Sequence, residues 1–276
     1  MQRTARSRTK PTPRPAATKT AMPLALFIPA AIGVAFLVLP LIGLIGAASW
    51  SSLPSRLTDP EIIRALWLSI QAATLATVLC VVLGVPLAWM LARVTFRGLK
   101  IVRALVTVPL VLPPVVGGVA LLLAFGRNGM IGSWLFNTFG ISLPFTLTGV
   151  VVAEAFIAMP FLVISVESAL RSADTRLEEA AATLRAGRWA TFSHVTLPLV
   201  APGIAAGAVL CWARALGEFG ATITFAGNFP GRTQTMPLAV YLALQTDLEA
   251  AIVLSLILLV LSVTILAVLR DRWVAR

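Results

Sequence analysis

Arg214, Glu218 and Glu154 stand well inside apolar runs of this chain. Arg214 and Glu218 lie in Ala213-Arg214-Ala215-Leu216-Gly217-Glu218-Phe219-Gly220-Ala221-Thr222. Spaced i, i+4, they share one helix face and can neutralise each other. Counted from Pro202, Arg214 lies about 18 Å into its run at ~1.5 Å per residue. That is deep within a hydrocarbon layer of about 30 Å. An arginine at such depth costs at least ~2.5 kcal/mol on insertion scales, so it must face protein or water. Two uses fit the pair. The guanidinium can attract an anion while the carboxylate keeps that attraction weak enough for release, or the two can form a buried pair that only fixes helix contacts. Glu154 poses a similar choice between a transport route and one half of a structural ion pair. Other chemistry is missing. His194, the only histidine, stands beside no catalytic partner and reads as a solvated or docking-surface residue. Cys80 and Cys211 both fall in apolar runs, with neither disulfide nor metal spacing, and read as small core residues. There is no Gly-x-x-x-x-Gly-Lys-Ser/Thr phosphate loop and no His-Glu-x-x-His zinc site.

The elements that would hold these residues are membrane spans. Of 276 residues, 58% are hydrophobic and only 12% are charged, which excludes an ordinary soluble domain. Six apolar runs are long enough to cross a bilayer, at about 22–48, 65–92, 104–125, 147–169, 199–223 and 250–270. The expected fold class is therefore all-α integral membrane, with about six transmembrane helices. Residues 1–20 carry Arg3, Arg6, Arg8, Lys10, Arg14 and Lys19 and no acid, and read as a disordered basic tail. The run that follows is too long for a cleaved signal peptide, and Pro29 and Pro40 within it read as kinks. The net charge of +11 does not point to nucleic acid, because of where the charges lie. Six spans put both termini on one side. That side carries seventeen of the Lys and Arg residues, the opposite side four, and Arg214 lies within a span. The basic side is cytoplasmic.

Two further stretches are unusual. Val108 to Gly118 holds Pro109, Pro113, Pro114, Gly117 and Gly118. Such a segment cannot be a regular lipid-facing helix, since broken backbone at membrane depth must be covered by protein or line a water-filled cavity. It reads either as pathway lining or as a proline-kinked structural helix. Residues 233–247 are too short and too mixed to span, which suggests a partial helix dipping from the external side, with Asp247 and Glu249 at the mouth of the last span. Residues 126–146 form an external loop, with Trp134 and Phe136 at the membrane interface. Glu167 and Arg171 are spaced for a local pair near the cytoplasmic exit.

The mixed loop of about 171–198 lies between two apolar runs on the basic side. Thr175-x-x-Glu178 has the form of a capping box. Ala180, Ala181 and Ala182 favour helix and leave a smooth face. Gly187 is placed to end that helix. Trp189, Phe192 and Val195 then recur on one side of a second short helix, which Pro198 is expected to stop. The plainest reading is an amphipathic cytoplasmic loop; the alternative is a docking surface for a soluble partner.

Glu179-Ala180-Ala181 followed by Val195-x-Leu197-Pro198 resembles the EAA signature of type I ABC importer permeases. One position departs: Arg185 stands where that family usually has glycine, and Gly187 follows two residues later. The Pro-Pro-Val-Val-Gly-Gly stretch resembles the molybdate and sulfate permeases. The Arg214–Thr222 text, continued by Gly231-Arg232-Thr233-Gln234-Thr235, is most similar to the molybdate permease subunit. The resemblance covers roughly Leu66 to the C-terminus. It implies a transport subunit and not an enzyme, working as a homodimer in the bacterial inner membrane. It implies two copies of a cytoplasmic ATPase that carry ATP and magnesium, an external substrate-binding protein, and no cofactor in this chain. ATPase coupling would fall to Glu179, Ala180, Ala181, Gly187, Leu197 and Pro198. Pathway roles would fall to Pro113, Pro114, Gly117, Gly118, Glu154, Arg214 and Glu218. The cargo would be molybdate, with tungstate, sulfate or thiosulfate as alternatives. An ion-coupled secondary transporter using Glu154, Arg214 and Glu218 is the rival of another class; it would work without nucleotide.

Overall fold

The computed structural model describes residues 24–274, so the basic tail of residues 1–20 lies outside the described residues. The described residues form helices joined by short turns. Helix α1, Leu24–Gly46, belongs to a separate compact unit and runs unbroken through Pro29 and Pro40. Its sides are exposed almost throughout. An apolar helix with no buried face is stable where its surroundings are themselves apolar, as in a bilayer.

The second unit begins at Ala47. A short turn of helix, α2 (Leu53–Leu57), leads into α3, Pro60–Arg93. The second span thus starts before residue 65. Asp59 accepts a hydrogen bond from the Glu61 amide at 2.9 Å, and Pro60 occupies the first helical position, where its missing N–H costs nothing. The third apolar run is divided. Helix α4 (Leu99–Val111) ends before Pro113 and α5 (Pro114–Phe125) begins after it. The expected single span is therefore two helices, because Leu112 and Pro113 both take extended backbone. The external loop contains α6, Gly132–Phe139, in which Trp134 meets Phe139 edge-on and Arg127 lies 4.0 Å over the Phe136 ring.

Helix α7, Leu147–Ser172, is the central post, packed against α3 and against a long helix that follows the mixed loop. Alanines make this close contact possible: Ala72, Ala73, Ala76 and Ala88 of α3, with Ala155 and Ala158 of α7, are all buried. Without a hydrophobic force between helices in lipid, small residues gain dispersion energy by letting backbones approach. Cys80 and Cys211 are free and buried in this core, as expected, and the Cys80 thiol points to the Ala155 carbonyl at 3.5 Å.

The mixed loop contains α8 (Arg176–Thr183) and α9 (Arg188–Thr191), followed by a π-turn at Phe192–Thr196 and α10 (Leu197–Leu216). From Arg188 to Leu216 this is one continuous helix. The fifth span therefore starts eleven residues before the expected 199 and stops at Leu216 rather than 223. Past a break at residues 217–219 comes α11, Gly220–Phe225, then α12, Met236–Thr246. Helix α12 is the expected partial helix, packed on α13, Leu248–Val274. Among the described residues five helices are long and apolar enough to cross a membrane, and the broken α4–α5 segment stands where a sixth run was expected.

Side-chain contacts fix the two ends of the second unit. At one end Arg56 bonds Asp247 at 2.7 Å and Ser52 bonds Glu249 at 2.8 Å, joining α2 to the mouth of α13. The Ala250 amide and the Arg56 guanidinium hold the Asp247 carboxyl below the usual carboxylate range. The ends of α3 and α7 and the mixed loop meet at the other.

Candidate functional site

The mixed loop does not fold quite as its text suggests. Thr175 makes no capping bond with its side chain; Asp174 takes the Arg176 amide instead, at 3.0 Å. The capping box fails because Glu178 turns away. Its Oε1 accepts from Arg93 Nη2 of α3 and from Thr196 Oγ1 of the π-turn, both at 3.0 Å. One carboxylate oxygen thus ties three elements together. Glu179, Ala180 and Ala182 point outward and Ala181 is half-buried, so α8 presents a small-residue surface.

Gly187 does not end α8. The helix stops at Thr183, and Arg185 takes the left-handed turn with φ of 59°. Gly187 is extended at φ of −66° and opens α9. The turn therefore falls where the EAA pattern has glycine, on an arginine that must bear the strain of its Cβ. Pro198 does not stop the following helix either. It cannot donate a backbone N–H, and its ring crowds the carbonyl four residues back. The π-turn absorbs both effects by widening the helix so that the Leu197 amide bonds Phe192 O, and α10 continues. Trp189, Phe192 and Val195 recur at every third residue along the continuous Arg188–Leu216 helix rather than on a separate short one, with Phe192 and Val195 half-buried. Trp189 is exposed and leans on Phe192, which meets Trp89 of α3 edge-on at 6.3 Å.

At the far end of α10 the predicted ion pair is made. Arg214 Nη2 lies 2.6 Å from Glu218 Oε2. The two do not share a helix, because α10 ends at Leu216 and Glu218 sits in the break. Glu218 Oε1 accepts from the Ala221 amide at 2.9 Å, covering an orphan donor of α11. The pair is lopsided: the Glu218 side chain is 1% exposed and that of Arg214 28%. The carboxylate is sealed and spent on two bonds, while the cation keeps an open side.

Glu154 of α7 is buried at 1% exposure. Its Oε2 has no hydrogen-bond partner, and among the described residues no cation pairs with it. The ion pair weighed for it is absent. Its α7 neighbours Ala153 and Ile157 pack with Ala221 and Phe225 of α11.

The broken third run splits by residue. Pro113 and Pro114 are exposed, whereas Gly117 and Gly118 are buried. A Cβ on Gly118 would stand 2.6 Å from Thr224 Cβ and 2.9 Å from the Ala221 carbonyl oxygen. One on Gly220 would stand 2.8 Å from Pro114 Cβ. Helices α5 and α11 thus touch backbone to backbone, and this contact holds the break beside the prolines.

Sequence reading missed Arg103. It bonds Glu167 at 2.9 Å, alongside the expected Arg171–Glu167 pair at the same distance. It also missed the Arg93–Glu178–Thr196 junction. Neither has a spacing signal, since the partners lie far apart in the chain.

A multi-helix membrane protein with an EAA-type loop at one end and a broken helix bearing a charge pair at the other is an importer permease in architecture. Residues 84–276 match the family described as binding-protein-dependent transport system inner membrane component, and the chain belongs to that family. It is a multi-pass inner-membrane protein. It is 47% identical over 243 residues to the molybdenum transport system permease protein ModB of Mycobacterium tuberculosis, covering 88% of this chain and 92% of the relative. Against ModB of Escherichia coli K12 it is 44% identical over 220 residues, 80% of this chain and 96% of that one. The sulfate transport system permease protein CysT of the same organism is more distant, at 36% over 234 residues, 83% and 84% of the two chains. In fold the chain is similar to a bacterial ABC transporter involved in the import of the acidic polysaccharide alginate. That match has a TM-score of 0.74 at 20% identity and covers 90% of this chain and 93% of the other.

Proposed function

We propose that this chain is the membrane-spanning permease subunit of an ATP-driven importer of molybdate. The observation that carries the cargo is the 47% identity to a molybdenum permease over nearly the whole of both chains, against 36% to a sulfate permease. The family and the EAA-type loop support the driving force. In this reading two copies form a homodimer. Each α8, with Glu179, Ala180 and Ala181 outward, docks in a cytoplasmic ATPase that holds ATP and magnesium, while this chain hydrolyses nothing and carries no cofactor. Both termini lie in the cytoplasm, on the side of the basic loops. The opposite face receives a substrate-binding protein.

Mechanism follows from the junctions. Drawing the ATPase pair together moves α8. Glu178 passes that movement to α3 through Arg93 and to the α9–α10 helix through Thr196. Because that helix runs unbroken from Arg188 to Leu216, displacement at one end reaches the Arg214 break without loss at Pro198. There the open side of Arg214 attracts the dianion. Glu218 keeps the site from holding it, since a cation already neutralised in part binds an anion less tightly. Pro113, Pro114, Gly117 and Gly118 fix the broken segment at the route, and Glu154 lies beside it.

Reconstitution with the ATPase and binding protein tests this. Uptake of labelled molybdate should require ATP hydrolysis, and excess sulfate should compete far less well than tungstate. Uptake without nucleotide would instead make the chain a secondary transporter. Equal competition by sulfate would move it to the sulfate class.

A further inference from the structure

Arg103 and Arg171 converge at the end of α7 in a way that coupling does not use. Arg103 Nη2 and Arg171 Nε both donate to Glu167 Oε1 at 2.9 Å. Arg103 Nη2 and Arg171 Nη2 both donate to the Leu91 carbonyl at 3.1 Å. Two full cations therefore share one carboxylate, and among the described residues no other acid pairs with either. The named bonds leave Arg103 Nε and Nη1 and Arg171 Nη1 uncommitted. These side chains are 41% and 51% exposed, whereas Glu167 is 13% exposed. The anion is tucked in and the cations face out.

They face a cleft of about 570 Å³ between α4 and the ends of α3 and α7. Its lining changes character along the helices. At the loop end it holds the guanidiniums and Ser168; one turn toward the bilayer centre it is walled by Val106 and Ile164, and by Thr107, whose hydroxyl is already spent on the Arg103 and Ala104 carbonyls. A free oxyanion would gain nothing from that wall, whereas a molecule with a phosphate at one end and hydrocarbon at the other would use both parts. Arginine forks match phosphate oxygens, and basic clefts between spans on the cytoplasmic side suit anionic lipid headgroups.

We propose that this cleft binds the phosphate headgroup of an anionic phospholipid of the cytoplasmic leaflet, with Arg103 and Arg171 on the phosphate and Val106 and Ile164 beside the first acyl carbons. The proposal rests on the reading above only for the side of the membrane. The bound lipid would brace α4 against α7 below the proline break.

Lipid retention tests it without ATP or molybdate, so its failure leaves the transport reading untouched. The full chain is purified in mild detergent from bilayers of equal phosphatidylglycerol and phosphatidylcholine, and bound lipid is counted by native mass spectrometry. The wild type should keep phosphatidylglycerol and lose phosphatidylcholine. Arg103→Gln with Arg171→Gln should lower retention about thirtyfold, at roughly 1 kcal/mol per basic residue. Glu167→Gln should raise retention, because it removes the internal competitor for both cations. This opposite sign decides the matter even if the double variant folds poorly. Equal retention by wild type and double variant, or no rise with Glu167→Gln, would overturn the proposal. Displacement of the lipid by inorganic phosphate alone would also overturn it, by making the cleft a free-anion site.

Discussion

The two ends of α10 use charge in opposite ways. At the loop end, carboxylates bridge elements far apart in the chain: Glu178 joins α8 to α3 and the π-turn, and Glu167 joins α4 to α7. These groups are partly solvated, so each bridge contributes modestly and can be remade during movement. At the break, the Arg214–Glu218 pair is local and ties no distant elements. Its carboxylate is sealed, its cation half open, and a second buried carboxyl, Glu154, has no cation of its own among the described residues. Charge at the loop end joins elements distant in the chain; charge at the break is paired within one short stretch. The difference shows why one sequence feature, an i, i+4 pair of opposite sign, has different meanings in the two places. Glu167–Arg171 is a clamp reinforced by Arg103, and Arg214–Glu218 is an incompletely neutralised cation.

Perturbation should separate the two regions. The largest effect is expected for Arg214→Gln, which strands a buried carboxylate and should cost about 3–5 kcal/mol. The measurement is the yield of monodisperse protein and its thermal midpoint in detergent. A near-normal midpoint would mean that Glu218 is not held by charge. Gly118→Ala comes next. Its Cβ meets the α11 backbone and Thr224, so about 1–3 kcal/mol of overpacking should push α5 from α11. Crosslinking of cysteines placed on those two helices would detect the shift, and unchanged crosslinking would show that the contact can give. Glu178→Gln should cost only about 1 kcal/mol in stability, because Arg93 and Glu178 are both partly solvated. Its signature is functional: ATP hydrolysis should continue while molybdate uptake per ATP falls. Full coupling in this variant would remove Glu178 from transmission. Arg185→Gly is the smallest change and has the opposite sign. Relief of the left-handed turn should stabilise the loop by up to about 1 kcal/mol, and a lower midpoint would contradict the assigned turn.

Much of this was legible in the sequence, and the gaps have physical causes. The apolar runs, the Arg214–Glu218 pair, the broken 108–118 segment and the partial helix at 236–246 all follow from local composition and spacing. Helix ends were less legible. Gly187 is the residue a turn prefers, yet Arg185 takes the turn, two residues after α8 ends at Thr183. Pro198 ordinarily ends a helix, but a π-turn accommodates it, and no sequence pattern announces that choice. Thr175 and Glu178 match a capping box, but Arg93, from eighty-five residues earlier in the chain, offers Glu178 a charged partner. Contacts of this kind depend on tertiary placement and leave no periodic trace. The same holds for Arg103 and for the isolation of Glu154, which depends on what the neighbouring helices place opposite it.

The most direct test of the anion-site claim is molybdate uptake by the double variant Arg214→Gln with Glu218→Gln. Removing both charges avoids a stranded carboxylate, and the side-chain carbonyl that replaces the carboxylate at position 218 can still accept from the Ala221 amide, so the chain should fold and hold its ATPase. The account predicts a folded, ATPase-bound complex that hydrolyses ATP yet carries little molybdate. Uptake at the wild-type rate would contradict it and leave the pair as a fastener of the helix break.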